Sequence, residues 1–383
     1  MAVSETDSKT RGALPGGWSC KRLVAEGAFA AVYEGRSPSG QTVAVKIPIS
    51  ENEQTIPRFM REIKVLRSMP SNPHVVEYKG HGQLTDGRPF LAMELVDGHT
   101  LEHFLRSDRP LAEPVACQLM MQLCDSLSIL HVLGLSHGDI KPANIMITRE
   151  DQQVKLLDFG MVRDSRGLFK AMETQRLLPG REFDAELDVG LMAGTPEYVA
   201  PEQIADARAT KARQVQRGPA ADVFALAVIF FRLLTGRRLW PFEPKAESLK
   251  EYQKQARVYL EARQYIDTDP DDPPPGISPR LWMLVARALR CDPELRQPDA
   301  GALKAELRRY LDAHSDVALD EPDEAPLEQV RSISGLMRFS ADGGPRIEHT
   351  DVIPMEPESS GRPRWLLAGL AVGMLGLVLF FLQ

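Results

Sequence analysis

The sequence predicts an α+β fold with two lobes, a small β-rich lobe followed by a larger helical lobe, and one further apolar helix near the C-terminal end. Strand-like alternation of apolar and polar residues dominates positions 18–95. Helical periodicity dominates positions 96–313, where apolar residues recur every three to four positions. An unbroken apolar run then fills positions 365–382. These patterns indicate one large globular unit and a separate terminal segment.

The composition fits a large folded unit and argues against several other classes of protein. Of the 383 residues, 43% are hydrophobic and 26% are charged, which supplies enough apolar mass for a large core. A formal net charge of -7 argues against nucleic acid as a partner, because phosphate backbones attract an excess of Lys and Arg. The 4 cysteines form no CxxC pair, so we expect neither a disulfide framework nor a zinc site. We expect the protein to lie in a reducing, cytosolic environment.

The small lobe is expected to begin after a polar leader. Residues 1–17 have no hydrophobic periodicity and no apolar signal-peptide core, so we expect a disordered leader and no secretion signal. In the later stretch QTVAVKIPI, Val43, Val45 and Ile47 alternate with residues that include Lys46. This period of two predicts a strand with Lys46 on the opposite face from the three β-branched side chains.

One helix is expected to interrupt the strands of the small lobe. In RFMREIKVL, Phe59, Ile63 and Leu66 fall at helical spacing, and Glu62 shares their face. A carboxylate on an apolar face is costly unless a cation meets it. We therefore expect Glu62 to pair with Lys46, whose ammonium would then point towards the phosphates of a nucleotide.

Two helices of the larger lobe are predicted from apolar patterns. One follows Pro114 and repeats apolar residues every fourth position: Val115, Leu119, Leu123 and Leu127. Cys117 and Cys124 lie on the same helix and are expected in the core. The other, DVFALAVIFFRLL, is apolar around its whole circumference but has only about half the length that a membrane span needs, so we expect a buried core helix.

The C-terminal part is expected to attach the protein to a membrane. Residues 314–361 are acidic, polar and rich in Pro, Gly and Ser, which predicts a linker. Residues 362–383 contain about 18 consecutive apolar positions, enough for about 27 Å of helix. Arg362 and Arg364 precede this run and favour the cytoplasmic side, so we expect a single-pass segment in the cell membrane with the globular part in the cytosol.

Two glycines in the apolar run leave an alternative open. Gly369 and Gly373 are four positions apart, a spacing that lets two membrane helices approach closely. A homodimer is one interpretation. The other is that these are ordinary small residues of a membrane helix without a pairing role.

Three polar residues in the larger lobe fit phosphoryl transfer from ATP. This reaction needs clamped phosphates, a bound metal ion and an acceptor hydroxyl that loses its proton. SHGDIKPANIMI supplies Asp139 and, five positions later, Asn144, while KLLDFG supplies Asp158 after an apolar run. One aspartate, Asp139, suits a general base, and Asn144 and Asp158 suit Mg²⁺, which prefers oxygen ligands.

From Trp18 to Leu311 the sequence resembles a eukaryotic-type (Hanks-type) protein kinase, most closely the membrane-anchored serine/threonine kinases of bacteria. The resemblance implies that Lys46 is the lysine of the VAIK motif, here VAVK, and that Glu62 is its partner on helix C. It also implies that Asp139 is the catalytic-loop aspartate. The implied cofactors are ATP and Mg²⁺, with Mn²⁺ as an alternative metal, and the implied partners are protein substrates with Ser or Thr hydroxyls. The implied nucleotide-binding residues are Val24, Gly27, Val32, Ala44, Lys46, Met93, Glu94 and Val96.

Two further segments carry the resemblance to serine/threonine kinases. Lys141 in DIKPAN resembles the lysine that these enzymes place against the transferred phosphate. Thr195 in GTPEYVAPEQ resembles the threonine that bonds the catalytic aspartate. The same segment shapes a peptide-binding platform, which disfavours a small-molecule phosphotransferase of related fold. The resemblance further implies that Glu202 pairs with Arg296 and that Asp222 is a buried anchor, while His137 is expected to pack near Phe159.

The sequence departs from the family pattern at the nucleotide loop. Ala25 and Ala30 stand where the first and third glycines usually lie, and only Gly27 remains. Alanine should stiffen a loop that needs backbone freedom to approach phosphate. A membrane-tethered pseudokinase that binds nucleotide without turnover therefore remains an alternative to an active enzyme.

The catalytic and activation segments also depart from the pattern. Gly138 replaces the arginine that receives an activation-loop phosphate in many kinases, which makes the loop non-RD. The activation segment is long, about 45 residues, and contains the acidic stretch REFDAELD at 181–188. Three interpretations stay open for this stretch: a solvated insertion, a mimic of phosphate, or a surface for basic substrates.

Overall fold

The computed structural model describes residues 12–27, 29–49, 55–164, 196–205, 218–246, 248–263 and 268–315. These residues form the two lobes that the sequence predicts. The smaller lobe contains a six-stranded antiparallel sheet of order β1-β2-β3-β4-β6-β5. Its strands are β1 Gly12–Ala13, β2 Ser19–Glu26, β3 Ala30–Arg36, β4 Thr42–Pro48, β5 Tyr78–Gln83 and β6 Pro89–Glu94.

Strand β4 shows the predicted alternation. Val43, Val45 and Ile47 are buried in a cluster on the outer face of the sheet. Ala44 belongs instead to the main core on the inner face, the face that also carries Lys46. Alternate residues of β4 therefore have different roles. One set packs in the outer cluster of the small lobe, and the other lies on the face of the sheet that is directed towards the larger lobe.

Folded structure begins earlier than the sequence predicts. Residues 12–17 were expected in the disordered leader, but Gly12 pairs with Cys20 and Ala13 with Ser19 to form the edge of the sheet. The reason is a ring contact further along the chain, because Trp18 packs edge-on against Phe90 with centroids 6.0 Å apart. A Cβ at Gly80 would lie 2.5 Å from the Trp18 ring, so this glycine makes room for it.

Helix α1, Thr55–Ser68, packs against the inner face of the sheet. Phe59, Ile63 and Leu66 are buried, as the spacing predicts, and Glu62 is buried beside them at 2% exposure. The apolar stripe fixes the rotation of the helix about its axis, and that rotation turns the Glu62 carboxylate inward.

The larger lobe is helical, with short strands at its junction with the sheet. Its helices are α2 Leu101–Leu105, α3 Glu113–Val132, α4 Pro201–Ala205, α5 Pro219–Thr235, α6 Leu249–Arg263, α7 Pro279–Ala288 and α8 Ala300–Ser315. Its strands are β7 Gly98–Thr100, β8 Leu135–Ser136, β9 Ile145–Thr148, β10 Val154–Leu156 and β11 Arg163–Asp164. Strands β10, β9 and β7 form one antiparallel sheet, and β11 pairs with β8.

Helices α3 and α5 form the centre of the larger lobe, as expected. Every residue of α5 from Ala221 to Leu234 is buried, which matches its apolar circumference. Cys117 and Cys124 on α3 are both fully buried. Burial of these two helices against each other and against α8 gives the lobe a single continuous core.

Within the described ranges, α3 is long and apolar enough to cross a membrane by length and composition. It is a core helix here, since Leu123, Leu127 and Leu130 have no exposed surface. Residues 316–361 of the predicted linker 314–361, and the predicted membrane segment 362–383, lie outside the described residues. Helix α8 continues to Ser315, two residues beyond the expected end of the folded unit.

Candidate active site

The predicted site residues meet where the two lobes face each other. Strand β4 and helix α1 supply Lys46 and Glu62 from the small lobe. The loop between β8 and β9 supplies Asp139 and Asn144, and the loop between β10 and β11 supplies Asp158. Because β9 and β10 pair with each other and β11 pairs with β8, these two loops emerge close together.

The predicted ion pair between the small-lobe residues is present. The Lys46 Nζ atom lies 2.8 Å from Oε1 and 2.7 Å from Oε2 of Glu62. It also lies 3.4 Å from Oδ1 of Asp158. Burial lowers the pKa of Lys46, but the carboxylates of Asp158 and Glu62 outweigh that effect and raise the pKa overall. The ammonium is therefore charged and linked to both lobes.

Asp158 has an unusual backbone and an ionised side chain. Its φ of 61° lies in the left-handed region, which aspartate tolerates better than most residues. The Gly160 N–H donates to its Oδ1 atom at 3.3 Å. Burial acts to raise the pKa of Asp158, but Lys46, followed by His137 and Lys141, overcomes this and lowers the pKa to about 2. The carboxylate is therefore charged at neutral pH.

Asp139 is the centre of a second group of polar contacts. Its Oδ2 atom accepts hydrogen bonds from Lys141 Nζ at 2.8 Å and from Asn144 Nδ2 at 3.1 Å. Asn144 Nδ2 also donates to the Asp139 backbone carbonyl at 2.9 Å. These bonds orient the carboxylate. They engage Oδ2 and the backbone carbonyl of Asp139 and do not involve its Oδ1 atom.

Asn144 and Asp158 fit a hard divalent cation. The amide nitrogen of Asn144 is engaged with Asp139, so its Oδ1 atom is the one that can serve as a ligand. Together with the ionised carboxylate of Asp158 it offers only oxygen atoms, the donor type that Mg²⁺ prefers.

Asp222, at the start of α5, anchors the catalytic loop. Its Oδ2 atom accepts the His137 N–H at 2.7 Å and a bond from His131 Nε2 at 3.0 Å. Its Oδ1 atom accepts the Gly138 N–H at 2.9 Å. Burial acts to raise the pKa of Asp222, but the bond from His131 and the other donors lower it. The predicted anchor is therefore present, and His137 also packs edge-on against Phe159 as expected.

Gly138 is held in a conformation that suits glycine. Its φ is +79°, and a Cβ there would lie 2.8 Å from the Met161 carbonyl oxygen and 3.6 Å from Arg163 Nε. The guanidinium of Arg163 therefore lies beside the position from which an arginine side chain would extend in the family pattern.

The residues expected to bind adenine and ribose lie along the inner face of the sheet. Ala44 is paired with Met93 across β4 and β6, and both are buried. Val32 is paired with Lys46 across β3 and β4 and packs against the main core. Val96 also packs against that core, just after β6.

The other expected nucleotide contacts lie at the rim. Val24 is 44% exposed on β2, and Glu94 accepts Lys155 Nζ at 2.9 Å through its side chain. Gly27 closes the turn between β2 and β3, because its N–H donates to the Ala30 carbonyl at 2.9 Å.

The two alanines of the loop lie within strands. Ala25 pairs with Val32, and Ala30 pairs with Pro48. The strands therefore continue to the edges of the turn, and the backbone freedom that glycine would give is confined to Gly27 and its neighbours.

The segment after the activation loop is fixed to the larger lobe. Glu202 and Arg296 form the predicted ion pair, with both N–O distances 2.8 Å. Glu197 accepts Arg238 NH1 at 3.1 Å and the Phe242 N–H at 2.8 Å. Thr195 and the acidic stretch 181–188 lie outside the described residues.

Sequence reasoning missed one residue that joins parts of the site. The Arg58 guanidinium lies over the Phe29 ring at 4.8 Å from its centroid and donates to the Met161 sulfur. It thereby links the nucleotide loop, α1 and the segment after Asp158. The sequence feature that could have identified Arg58 is its position four residues before Glu62, because residues four apart lie on the same face of a helix.

The chain resembles known proteins over the region that carries this geometry. It matches the protein kinase domain family over residues 18–306. It is 30% identical to serine/threonine-protein kinase pkn3 of Myxococcus xanthus over 322 residues, and this alignment covers 80% of this chain and 52% of the relative. It is 28% identical to serine/threonine-protein kinase PknH of Mycobacterium bovis, over 95% of this chain and 55% of the relative.

A third relative shows the same pattern. The chain is 31% identical to serine/threonine-protein kinase PknL of Mycobacterium tuberculosis, over 74% of this chain and 63% of the relative. The chain thus spans about half to two thirds of the length of these relatives. The family match extends over most of the chain, and Lys46, Glu62 and Asp158 of the site are in contact; this protein therefore belongs to the protein kinase family.

Proposed function

We propose that this chain is an active, ATP-dependent kinase that transfers the γ-phosphoryl group to Ser and Thr hydroxyls of proteins. The observation that carries the proposal is the position of Lys46, whose Nζ is 2.7 Å from Glu62 and 3.4 Å from Asp158. A charged ammonium held between two carboxylates of different lobes is the arrangement that orients nucleotide phosphates. A scaffold that bound nucleotide without turnover would not require all three of these charged residues.

Each polar group of the site has a role in the proposed reaction. Asp139 accepts the proton of the substrate hydroxyl as that oxygen bonds to the γ-phosphorus and the bond from the γ-phosphorus to the β–γ bridging oxygen breaks, which releases ADP. Lys141 stabilises the negative charge that develops on the transferred group. Asn144 and Asp158 would hold Mg²⁺, which would supply positive charge to neutralise the phosphate oxygens. Lys46 orients the phosphates, and Glu62 holds Lys46.

The nucleotide is proposed to lie along the inner face of the small-lobe sheet. Val24, Val32 and Ala44 would contact the adenine and ribose from the strands, and Gly27 would let the loop backbone approach the phosphates. Met93 would bound the pocket at its inner end. The backbone of residues 94–96 would bond the adenine edge.

Specificity for Ser and Thr is supported by two findings. Lys141 Nζ lies 2.8 Å from the Asp139 carboxylate, where it can reach the transferred phosphate. The curated relatives are named serine/threonine-protein kinases. Since Gly138 offers no cation, we propose a non-RD enzyme whose activity does not depend on phosphate at the usual receptor.

The domain organisation is also part of the proposal. Residues 18–313 would form the catalytic unit, 314–361 the linker and 362–383 a membrane helix that leaves the kinase in the cytosol. This is supported by the apolar run 365–382 and the two arginines before it. Pairing of two chains through Gly369 and Gly373 is compatible with this arrangement.

The test compares full-length protein in detergent with two lysine variants, using labelled ATP, Mg²⁺ and a basic protein substrate. Lys46→Met should abolish incorporation. Lys79→Met, on the same sheet and paired with the neighbouring Glu77, should retain it. Incorporation by Lys46→Met equal to that of the wild type would overturn the assignment. Nucleotide binding without incorporation by the wild type would establish the pseudokinase instead.

A further inference from the structure

A surface groove of about 450 Å³ lies between α7 and α8, on the larger lobe and outside the proposed active site. The two helices run antiparallel. At one end Ser278 Oγ lies 3.0 Å from Tyr310 Oη, and at the other Arg287 pairs with Glu306 at 2.7 Å. The groove runs between these two contacts.

The groove combines an apolar floor with a basic rim. Met283 is 51% exposed within it, and Leu284 lies beside it, half-buried against the main core. An exposed methionine flanked by cations is a feature of adaptable peptide-binding surfaces. The floor therefore offers exposed apolar contact area.

The rim carries a net positive charge. Arg280, Arg287 and Arg309 line it, against one acid, Glu306. Glu306 is already satisfied by Arg287 and by the Gln297 amide at 2.8 Å. Among the described residues, Arg309 donates only through its Nε, to the Ala305 carbonyl, which leaves its two outer nitrogens for other partners. Arg280 has no bond to another described residue. Two cations are therefore left to meet an anionic partner.

The chain itself supplies a segment of matching chemistry at the edge of the groove. Ala313, in the last turn of α8, lines the groove, and the chain continues directly from Ser315 into residues 316–328. That segment contains Val317 and Leu319 and neither Lys nor Arg. Its acids are Asp316, Asp320, Glu321, Asp323, Glu324 and Glu328.

We propose that residues 316–328 bind in the α7–α8 groove of their own chain. Acidic side chains would meet Arg280 and Arg309, and the apolar residues near the start of the segment would cover Met283. Pro322 and Pro326 favour an extended backbone over continued helix, which suits a segment that must reverse direction after α8.

The distances permit this arrangement. From Arg280 to Arg287 the helix rises about 10 Å, at 1.5 Å per residue. An extended chain covers that length with about three or four residues. Thirteen residues are therefore enough for the reversal and for contact along the whole groove. Each exposed ion pair is weak and screened by salt, so the docking depends on the high effective concentration of a tethered segment.

Docking would shorten the free part of the linker. It would also fix the face of the larger lobe at which the remaining linker begins. This inference does not depend on catalytic activity. A second copy of the chain and an anionic lipid surface have compatible charge, and the experiment separates both from the intramolecular segment.

The test places a photo-crosslinking amino acid at Met283 in the full-length protein in detergent, with Val258, an exposed apolar residue of α6, as the control position. A mixture of isotopically light and heavy chains distinguishes bonds within a chain from bonds between chains. We expect adducts with peptides from 316–328 of the same chain, at least fivefold more abundant from position 283 than from 258. High salt should reduce the yield.

Charge variants test the rim directly. Arg280→Glu combined with Arg309→Glu should lower the yield at least fivefold, and replacement of the six acids by Lys in that background should restore it. Arg308→Glu, exposed on the same helix but outside the groove, is the matched control and should change nothing. Circular dichroism checks that each variant is folded. If a variant does not fold, the salt dependence of crosslinking with the wild-type rim still tests the proposal.

Three outcomes would overturn the proposal. Mixed-isotope adducts would assign the groove to a second copy of the chain. Adducts with phosphatidylglycerol added to the micelles, in place of peptide, would assign it to a lipid surface. Absence of adducts with 316–328, or a yield unaffected by salt and by the rim variants, would show that the segment does not bind there.

Discussion

Glu202 and Arg296 form a two-pronged ion pair, 94 positions apart in sequence, with both N–O distances 2.8 Å. The Arg296 side chain has no exposed surface, and that of Glu202 is 5% exposed. Arg296 also donates to the carbonyls of Ala220, Arg290 and Cys291, so its three remaining N–H groups are satisfied. The pair joins α4, the start of α5 and the segment before α8.

Glu202→Ala should destabilise the protein by about 3–5 kcal/mol, because it leaves the Arg296 charge buried without its partner. Urea unfolding measures the effect. Glu243→Ala is the control, since the exposed Arg238–Glu243 pair should contribute less than about 1 kcal/mol. Equal losses in the two variants would contradict the scaffold role of the buried pair.

The contribution of Asp158 to stability should disappear in acid. Its pKa in the folded protein, about 2, is below the ordinary value of 3.8, so the folded state favours the charged form. The stabilisation relative to Asp158→Asn should be present above pH 4 and be lost as pH falls from 4 towards 2. Since the side chain is 43% exposed, we expect a small difference. Urea midpoints at pH 7, 5 and 3.5 measure it, and a gap that widens in acid would contradict the sign.

Restoring glycine to the nucleotide loop should alter both stability and kinetics. Ala25→Gly with Ala30→Gly should lower stability by about 0.5–1 kcal/mol per site, because both residues pair within strands. The loop should also gain freedom to approach phosphate, which should change KM for ATP or kcat. Thermal unfolding and steady-state kinetics measure the two effects. If neither kinetic constant moves, the alanines are neutral for nucleotide binding.

Phosphatase treatment of the purified enzyme should leave its rate nearly unchanged. Gly138 provides no guanidinium to bind an activation-loop phosphate. A loss of about tenfold on dephosphorylation would show that another cation has this role. Arg163 is then the residue to replace, because its Nε lies 3.6 Å from the position that a Cβ of residue 138 would occupy.

Removal of residues 362–383 should move the protein from the membrane to the soluble fraction. The truncated protein should keep its activity on an added substrate, because the site residues lie in the two lobes. Its autophosphorylation at low concentration should be slower than that of the full-length protein in liposomes, since a membrane raises the local concentration of neighbouring chains. Full-length protein found in the soluble pool would contradict the proposed anchor.

Local patterns were enough to select the residues that make up most of the candidate site. The alternation in β4 fixed which face carries Lys46, and helical spacing placed Glu62 on the buried face of α1. Short, ordered motifs then supplied Asp139, Asn144 and Asp158. These features depend on residues within a few positions of each other, which a single sequence displays directly.

Contacts between distant segments could not be read in the same way. The folding of residues 12–17 depends on Trp18 meeting Phe90 and on the space that Gly80 leaves. The bridge from Arg58 to Phe29 depends on how the nucleotide loop folds over α1. Neither pair has a spacing that marks it, because the partners meet only once the sheet is assembled.

Two of the three bonds that Asp222 accepts come from the catalytic loop, from the N–H groups of His137 and Gly138, and they fix the loop to α5, which is buried from Ala221 to Leu234. Local opening of this loop would leave the buried Asp222 carboxylate with the His131 imidazole as the one remaining donor of the three, and a buried carboxylate that loses hydrogen bonds is costly. The amide protons of His137 and Gly138 should therefore exchange with solvent only when the larger lobe unfolds as a whole. The loop that carries the proposed general base should therefore be as stable against opening as the larger lobe is against unfolding.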